Sequence, residues 1–290
     1  MRRFSLVKAF LLAGIIMVIL LIGGNLLGKA LVSSREVTAV IPKEDAVRQT
    51  PEELDVTWRW LSRNAARNTF DPNGFSQEDD VIRYRSGNVS SLQGLDLSSH
   101  NGEIDWAQVS DAGIDFVILQ LGYRGYTAGN LNVDNAFFHN LDEATAHGIA
   151  VGVYFFSQAI NADEAKEEAE YIVKTLAGCT LQLPIYFDWE TVQNGGRTDS
   201  VDQEQLSSYA LAFCKTIEDA GFKAGIYFNQ HAGYYSYNLD LLEDYSFWLA
   251  EYDAVPAFYF DFDLWQYSAS GTVAGITGQV DRNLLFVRAD

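Results

Sequence analysis

The chain has 290 residues, 48% of them hydrophobic and 20% charged, which allows one large domain with additional segments. Its formal net charge of −19 is unevenly spread: residues 91–290 carry 29 acidic against 8 basic side chains, while residues 1–90 are close to balance. Such a surface repels phosphate backbones and argues against nucleic acid as a partner. With two cysteines outside any metal-type spacing and four scattered histidines, no metal or cofactor is expected.

The first element is apolar. Three basic residues in "MRRFSLVK" precede residues 9–32, whose single charge is Lys29. About 20 apolar residues cross a bilayer as a helix, and the leading positive charge favours a cytoplasmic N-terminus. Residues 1–8 are therefore read as cytoplasmic and 9–32 as a single-pass transmembrane anchor. A cleaved signal peptide is the alternative, with small residues at Gly28 and Ala30. Both readings put the remainder outside the cytoplasm. The polar residues 33–90 read as an extracytoplasmic stalk, interrupted by a short helix near 51–67. That helix is predicted from Thr50 as N-cap, Pro51 at the first helical position and Glu53 three residues on. Its Trp58, Trp60 and Leu61 would pack on the main domain or on membrane headgroups, and the helix is the candidate surface for an envelope protein partner.

From Leu92 onward, short β-rich runs alternate with helical segments. The runs are "LQGLDLS", "DFVILQLGY", "IAVGVYFFS", "LPIYFDWE", "KAGIYFNQ", "SFWLAEYD" and "FDLWQYS". Amphipathic stretches at 161–178 and 202–221 each end in glycine, a common helix stop. This order predicts an α/β domain over 91–290 with a largely parallel sheet. No glycine-rich phosphate loop follows the first run, which favours a barrel over an open sheet. Polar residues at the strand C-terminal ends (Asp96, Gln120, Ser157, Asp188, Glu190, Asn229, Glu251 and Gln266) suit the catalytic face of a barrel. Residues 246–290 hold strands without full helices between them, so the barrel is expected to be irregular and incompletely wound. Cys179 and Cys214 are read either as a disulfide or as two buried thiols.

The run "LPIYFDWE" (183–190) carries the chemistry. Strand side chains alternate, so Tyr186, Asp188 and Glu190 share one face and Ile185, Phe187 and Trp189 the other. Two carboxylates about 6.6 Å apart along a strand suit glycosidic cleavage, one protonating the leaving oxygen and the other facing the developing cation. Ordinary acids at a partly exposed strand end, or a divalent-metal site, are the competing readings of that pair. Aromatic residues near the strand ends give the groove its candidate sugar platforms. Tyr123, Tyr154, Tyr227, Trp248, Tyr252 and Trp265, with the polar Gln266, are the candidate substrate-binding residues.

Six stretches occur in order: "GLDLSSHNGEIDW" (94–106), "GYRGYT" (122–127), "GVYFFSQA" (152–159), "IYFDWE" (185–190), "WLAEYD" (248–253) and "LWQYSASGTVAGITGQVDRN" (264–283). Together they resemble the motifs of glycoside hydrolase family 25, the lysozyme-type N-acetylmuramidases, across about residues 92–288. The resemblance implies an irregular β/α barrel, TIM-like in plan, that cleaves the β-1,4 bond between N-acetylmuramic acid and N-acetylglucosamine in peptidoglycan. It places the family's acids on Glu190, Asp188, Asp96 and Asp281. Glu190 would be the general acid and then the base. Asp188 would polarise the substrate N-acetyl group or steady the cation directly, and Asp96 and Asp281 would line the groove floor. Departures lie at Glu251 and in "LQLGYRGYT", and they bear on subsites rather than on catalysis. A catalytically silent peptidoglycan-binding or scaffold module is the reading from another class.

Overall fold

The computed structural model describes residues 65–192, 195–202 and 205–289, together with two short strands, β1 (Ala46–Gln49) and β2 (Thr57–Trp60). The chain divides into two compact units, Met1–Leu61 and Ser62–Asp290. In the first, β1 and β2 pair antiparallel, with Ala46 opposite Trp60 and Gln49 opposite Thr57. The helix expected near 51–67 is therefore corrected at its centre. Thr57 and the aromatic residues beside it favour a pleated strand over a helix, and this outweighs the capping signal at Thr50. The expected anchor at 9–32 lies outside the described residues. Among those described, no helix is long and apolar enough to cross a membrane.

The second unit is built on a closed ring of eight strands. These are β5 (Val89–Leu97), β6 (Phe116–Arg124), β8 (Ala150–Ser157), β9 (Ile185–Trp189), β10 (Ala224–Asn229), β11 (Ser246–Ala250), β12 (Leu264–Gly271) and β13 (Val280–Arg288). Neighbours from β5 to β12 run parallel. Strand β13 is antiparallel to both β12 and β5 and closes the ring. A short edge strand, β7 (Leu131–Val133), pairs with β6.

Helices cover one side of the ring. They are α1 (Trp106–Asp111), α2 (Phe137–Ala146), α3 (Ala162–Thr175), α4 (Leu206–Asp219) and the single-turn α5 (Gln230–Tyr235). Asn161 caps α3 by accepting from the Glu164 amide, Asp163 and Glu164 occupy its first turn, and Lys174 its last; each charge complements the helix dipole. Gly178 and Gly221, just past α3 and α4, adopt positive φ as the sequence suggested. Outward-facing strand residues meet these helices, and the Phe187 and Phe213 rings lie 5.0 Å apart.

No helix connects β11 to β12 or β12 to β13. An N-terminal hairpin covers that side instead. Strand β3 (Phe75–Glu78) pairs with β4 (Val81–Ser86), and β4 pairs with β5 through Arg85–Ser90 and Ser86–Val89. Phe70 stacks on Phe286 at 4.0 Å, and Phe75 meets Trp265 edge-on at 5.7 Å. Residues 75–90, read from the sequence as stalk, therefore belong to the barrel's sheet, and Phe70 packs against it. The segment just before them is stitched to the β11–β12 connection, with Asn68 donating to the Tyr259 carbonyl and Asp261 to the Ala66 carbonyl.

The barrel interior is a packed core of Phe116, Ile118, Tyr186, Trp248 and Leu264. Glycine makes room for the large rings. The Phe116 ring lies across Gly94 and the Tyr186 ring across Gly225, where a Cβ would collide. Cys179 and Cys214 are free thiols, so they form no disulfide; Cys214 is buried, whereas Cys179, expected to be buried, is only half-buried.

Candidate active site

Strand β9 delivers the acids as its alternation requires. Tyr186 joins the interior, Asp188 is buried at the mouth of the barrel, and Glu190 emerges at the lip one residue past the strand end. On the opposite face, Trp189 donates its indole N–H to the Ala159 carbonyl at 2.8 Å. Strands β5 and β13 bring the remaining acids, Asp96 directly opposite Asp281. All four predicted acids thus converge on one end of the barrel.

Asp96 is the best-connected of them. Its Oδ2 accepts from Gln266 Nε2 at 2.9 Å and from Asn283 Nδ2 at 2.7 Å. Asn283 Oδ1 in turn accepts the Trp248 indole N–H at 2.8 Å. An indole nitrogen only donates, so this contact orients the Asn283 amide and leaves its NH2 to Asp96. The Gln266 Oε1 accepts two tyrosine hydroxyls, Tyr227 at 3.0 Å and Tyr252 at 2.8 Å. Asn283 was not singled out by sequence reasoning. The signal was present, because Asp281 and Asn283 stand two apart on one strand face as Asp188 and Glu190 do.

Desolvation raises the pKa of every acid in the cluster, including Glu190, whose side chain is exposed at the lip but stands among the other acids, and the neighbours adjust each one. Desolvation pushes Asp188 well above the usual carboxylate range, and the charges of Glu190 and Asp96 push it further. Its Oδ1 is buried without a hydrogen-bond partner. Glu190 is raised by desolvation too, but a hydrogen bond with Asp188 offsets part of the rise and Asp96 adds to it. Asp281 is pushed up to about 9, by desolvation first and then by Asp96. Asp96 is also raised by burial, against the hydrogen bonds from Gln266, Asn283 and Asp281. Asp281 therefore keeps its proton at neutral pH, and the desolvation of Glu190 favours the protonated form that a glycosidic acid requires. Among the described residues no group of His, Cys, Asp and Glu is disposed to hold a metal ion.

The predicted aromatic residues divide. Tyr154 and Tyr227 flank the acids from inside the barrel, and the tyrosine pKa of each is driven well up, mainly by burial and also by the carboxylates. Tyr252 and Tyr123 are exposed at the rim, 37% and 39% respectively. Tyr123 gets there through a register irregularity between Gln120 and Gly122, which brings it into line with Phe156 and Asp188. Tyr126 stands beside them, edge-on to Phe156 at 5.9 Å, with the charges of Glu190 and Asp188 raising its pKa after desolvation.

Two expectations are corrected. Trp248 is 2% exposed and lies in the core beneath the acids, against Tyr154, Tyr186 and Tyr227. The hydrogen-bonded row that carries Asp188 at the mouth continues through Tyr227 and Trp248 to Leu264. Strand stagger in a closed barrel takes such a row steadily downward. Trp265 is fully buried on the outer face of β12, beneath Phe75, with its indole N–H donated to the Glu251 carbonyl. Neither ring can form a sugar platform. Beside Glu190, a cleft of about 250 Å3 opens between β9, β10 and α5, lined by Thr191, Asn229, His231 and Ser236 among others.

Residues 95–276 match the model of the family described as Glycosyl hydrolases family 25. The chain belongs to this family. It is 28% identical over 208 residues to Lysozyme M1 of Streptomyces globisporus, covering 67% of this chain and 68% of that protein. It is also 28% identical over 195 residues to an autolytic lysozyme of Clostridium acetobutylicum, covering 66% and 54%. Among solved structures, the modular autolysin LytC of Streptococcus pneumoniae superposes with a TM-score of 0.60 at 24% identity. That match covers 85% of this chain but only 57% of LytC. A family 25 glycosyl hydrolase from Bacillus anthracis gives a TM-score of 0.57 at 21% identity, covering 72% and 94%. These structural matches speak to the fold. Family membership makes this chain a glycoside hydrolase.

Proposed function

We propose that the chain is a muramidase, hydrolysing the β-1,4 bond between N-acetylmuramic acid and N-acetylglucosamine in peptidoglycan. The observation that carries this reading is the Asp188–Glu190 pair at the end of β9, two acids whose charges act on each other within a mouth that also holds Asp96 and Asp281. The names of the two lysozymes quoted above support the same substrate class.

In this mechanism Glu190 protonates the glycosidic oxygen as the bond to the anomeric carbon breaks. Asp188 receives the N–H of the substrate acetamido group on its unpartnered Oδ1, and the acetamido carbonyl oxygen bonds to the anomeric carbon. That contact offsets the cost of ionising a buried Asp188 and leaves the proton of the pair on Glu190. Glu190 then removes a proton from the water that releases the sugar. Asp96, held by Gln266 and Asn283, keeps a like charge near Glu190 and so helps to keep it protonated. Tyr123, Tyr126 and Tyr252 offer ring faces to the sugars at the rim.

The apolar residues 9–32 support a location at the cell membrane with the barrel outside, where it would act in wall turnover or remodelling. A silent glycan-binding module is the second reading. The experiment treats purified peptidoglycan with the full chain and with Glu190→Gln, then identifies the released reducing ends by mass spectrometry after borohydride reduction. Muramitol from the native chain, lost in the variant, is the expected result. No release by a folded chain that still sediments with peptidoglycan would instead establish the binding module.

A further inference from the structure

Strand β9 ends at Trp189, so Glu190 is the first residue beyond the parallel ladder. Its backbone is nevertheless held. Gln158, fully buried just after β8, donates through Nε2 to the Glu190 carbonyl at 2.9 Å and to the Ser157 carbonyl at 2.9 Å. Its Oε1 accepts the Thr198 hydroxyl at 2.9 Å, and Thr198 is itself 2% exposed. Both amide N–H groups and the amide oxygen are thereby engaged inside the protein. The next residue, Ala159, accepts the indole N–H of Trp189. The segment 157–159 therefore grips the chain on both sides of the peptide that joins Trp189 to Glu190.

Thr198 belongs to a loop fastened at its other side. Arg197 donates from its backbone N–H to the Tyr126 carbonyl at 3.1 Å and from its guanidinium to Glu164 at 2.6 Å. Asp199 accepts the Gly195 amide at 2.7 Å. The loop thus links the Tyr126 rim, the start of α3 and the amide that holds Glu190. A buried amide placed only to fill space is costly, because leucine fills the same volume without polar groups to satisfy.

We infer that Gln158 is a positioning residue for Glu190, latched in place by Thr198. The inference rests on Glu190 being the acid of the proposed reaction. Gln158 is fully buried and its amide is engaged within the protein, which leaves it no group to offer a sugar. It acts by fixing the backbone from which the Glu190 carboxyl reaches the glycosidic oxygen, and an error of about 1 Å in such placement costs on the order of 100-fold in rate.

The test compares the full native chain with Thr198→Val, Thr198→Ser and Gln158→Leu. Thr198→Val keeps the shape and removes the hydroxyl, and Thr198→Ser restores it. The expected outcome for Thr198→Val is a fall in kcat of about 10- to 100-fold with KM changed by less than about twofold, recovered in Thr198→Ser. Gln158→Leu should reproduce the loss if Thr198→Val does not fold. A second readout needs no glycan cleavage: carboxyl-13C NMR should show the Glu190 titration moved in Thr198→Val and returned in Thr198→Ser. Native kcat and native Glu190 titration in whichever of Thr198→Val and Gln158→Leu folds, even with a lowered melting temperature, would overturn the proposal and leave Gln158 a packing residue. A native chain that releases no sugar would count against the muramidase reading, and the titration would still decide the latch.

Discussion

Asp96 and Asp281 stand directly opposite each other on the antiparallel strands β5 and β13, two acids facing the same barrel mouth. Directly opposed strand residues have Cβ atoms about 5 Å apart, where like charges destabilise a sheet. The pair is compatible with the fold because one member keeps its proton. Asp281, pushed up to about 9 by burial and by Asp96, is that member.

This makes stability depend on pH. Asp281 has a folded pKa of about 9 against an ordinary value of 3.8, so the folded state binds the extra proton between those limits. Its contribution is fully present below pH 3.8 and is lost as pH rises through about 9. One such group gives a slope of at most about 1.4 kcal/mol per pH unit. Urea unfolding should therefore show less stability at pH 8.5 than at pH 5.5, and Asp281→Asn should reduce the difference, the rest coming from the other raised acids. An unchanged slope in the variant would reject Asp281 as the source.

The activity profile follows from the same cluster. Glu190 must be protonated to act as the acid, and its pKa is raised by desolvation and by the charge of Asp96. Removing that charge lowers the pKa, so the alkaline limb of kcat/KM should move to lower pH in Asp96→Asn. The asparagine Oδ1 can still accept from Gln266 and Asn283, which preserves the geometry. A limb that stays in place or moves upward would show that Asp96 does not set the acidity of Glu190.

The N-terminal hairpin is expected to be indispensable for folding. Phe286 is 7% exposed, and its ring meets Phe70, Phe75, Tyr84 and Phe262. Phe286→Ala should cost about 3 to 5 kcal/mol, read as a lowered urea midpoint. A chain beginning at residue 91 loses β3, β4 and Phe70, and should collect in the insoluble fraction. A soluble, cooperatively melting product of that truncation would contradict the assignment of residues 75–90 to the barrel.

The period of two in "LPIYFDWE" was sufficient to put Asp188 and Glu190 on one face, and glycine stops located the ends of α3 and α4. What the sequence hid depends on closure of the sheet. Trp248 and Asp188 share a hydrogen-bonded row, yet stagger leaves one in the core and the other at the mouth. Trp265 looks like a rim aromatic only until the missing helices over β12 are replaced by Phe75 and its neighbours. The hairpin escaped notice because its turn is Asp79-Asp80, with Asp79 at a φ of 53° and no glycine or asparagine to announce it. Asn283 required only the alternation already applied to β9.

Arg124 supports the rim from below. It is 3% exposed at the end of β6, and its guanidinium donates to Glu168 at 2.7 Å and to Glu167 at 2.8 Å. It also binds the carbonyls of Gly129 and Glu164, joining the loop that carries Tyr126 to α3. Glu168 is fully buried, and burial raises its pKa to about 7 although Ser157 and Arg124 oppose the rise. Removing one partner of a buried pair leaves the other uncompensated, at a cost of about 3 to 5 kcal/mol. Arg124→Met should lose about that much at pH 8, where Glu168 is ionised in the native chain. It should lose less at pH 5, where Glu168 accepts a proton and no charge is stranded. Because the same arginine orders the Tyr126 loop, the variant should also raise KM for glycan more than it lowers kcat. Equal losses of stability at the two pH values would show that Arg124 acts through its carbonyl contacts and not through Glu168.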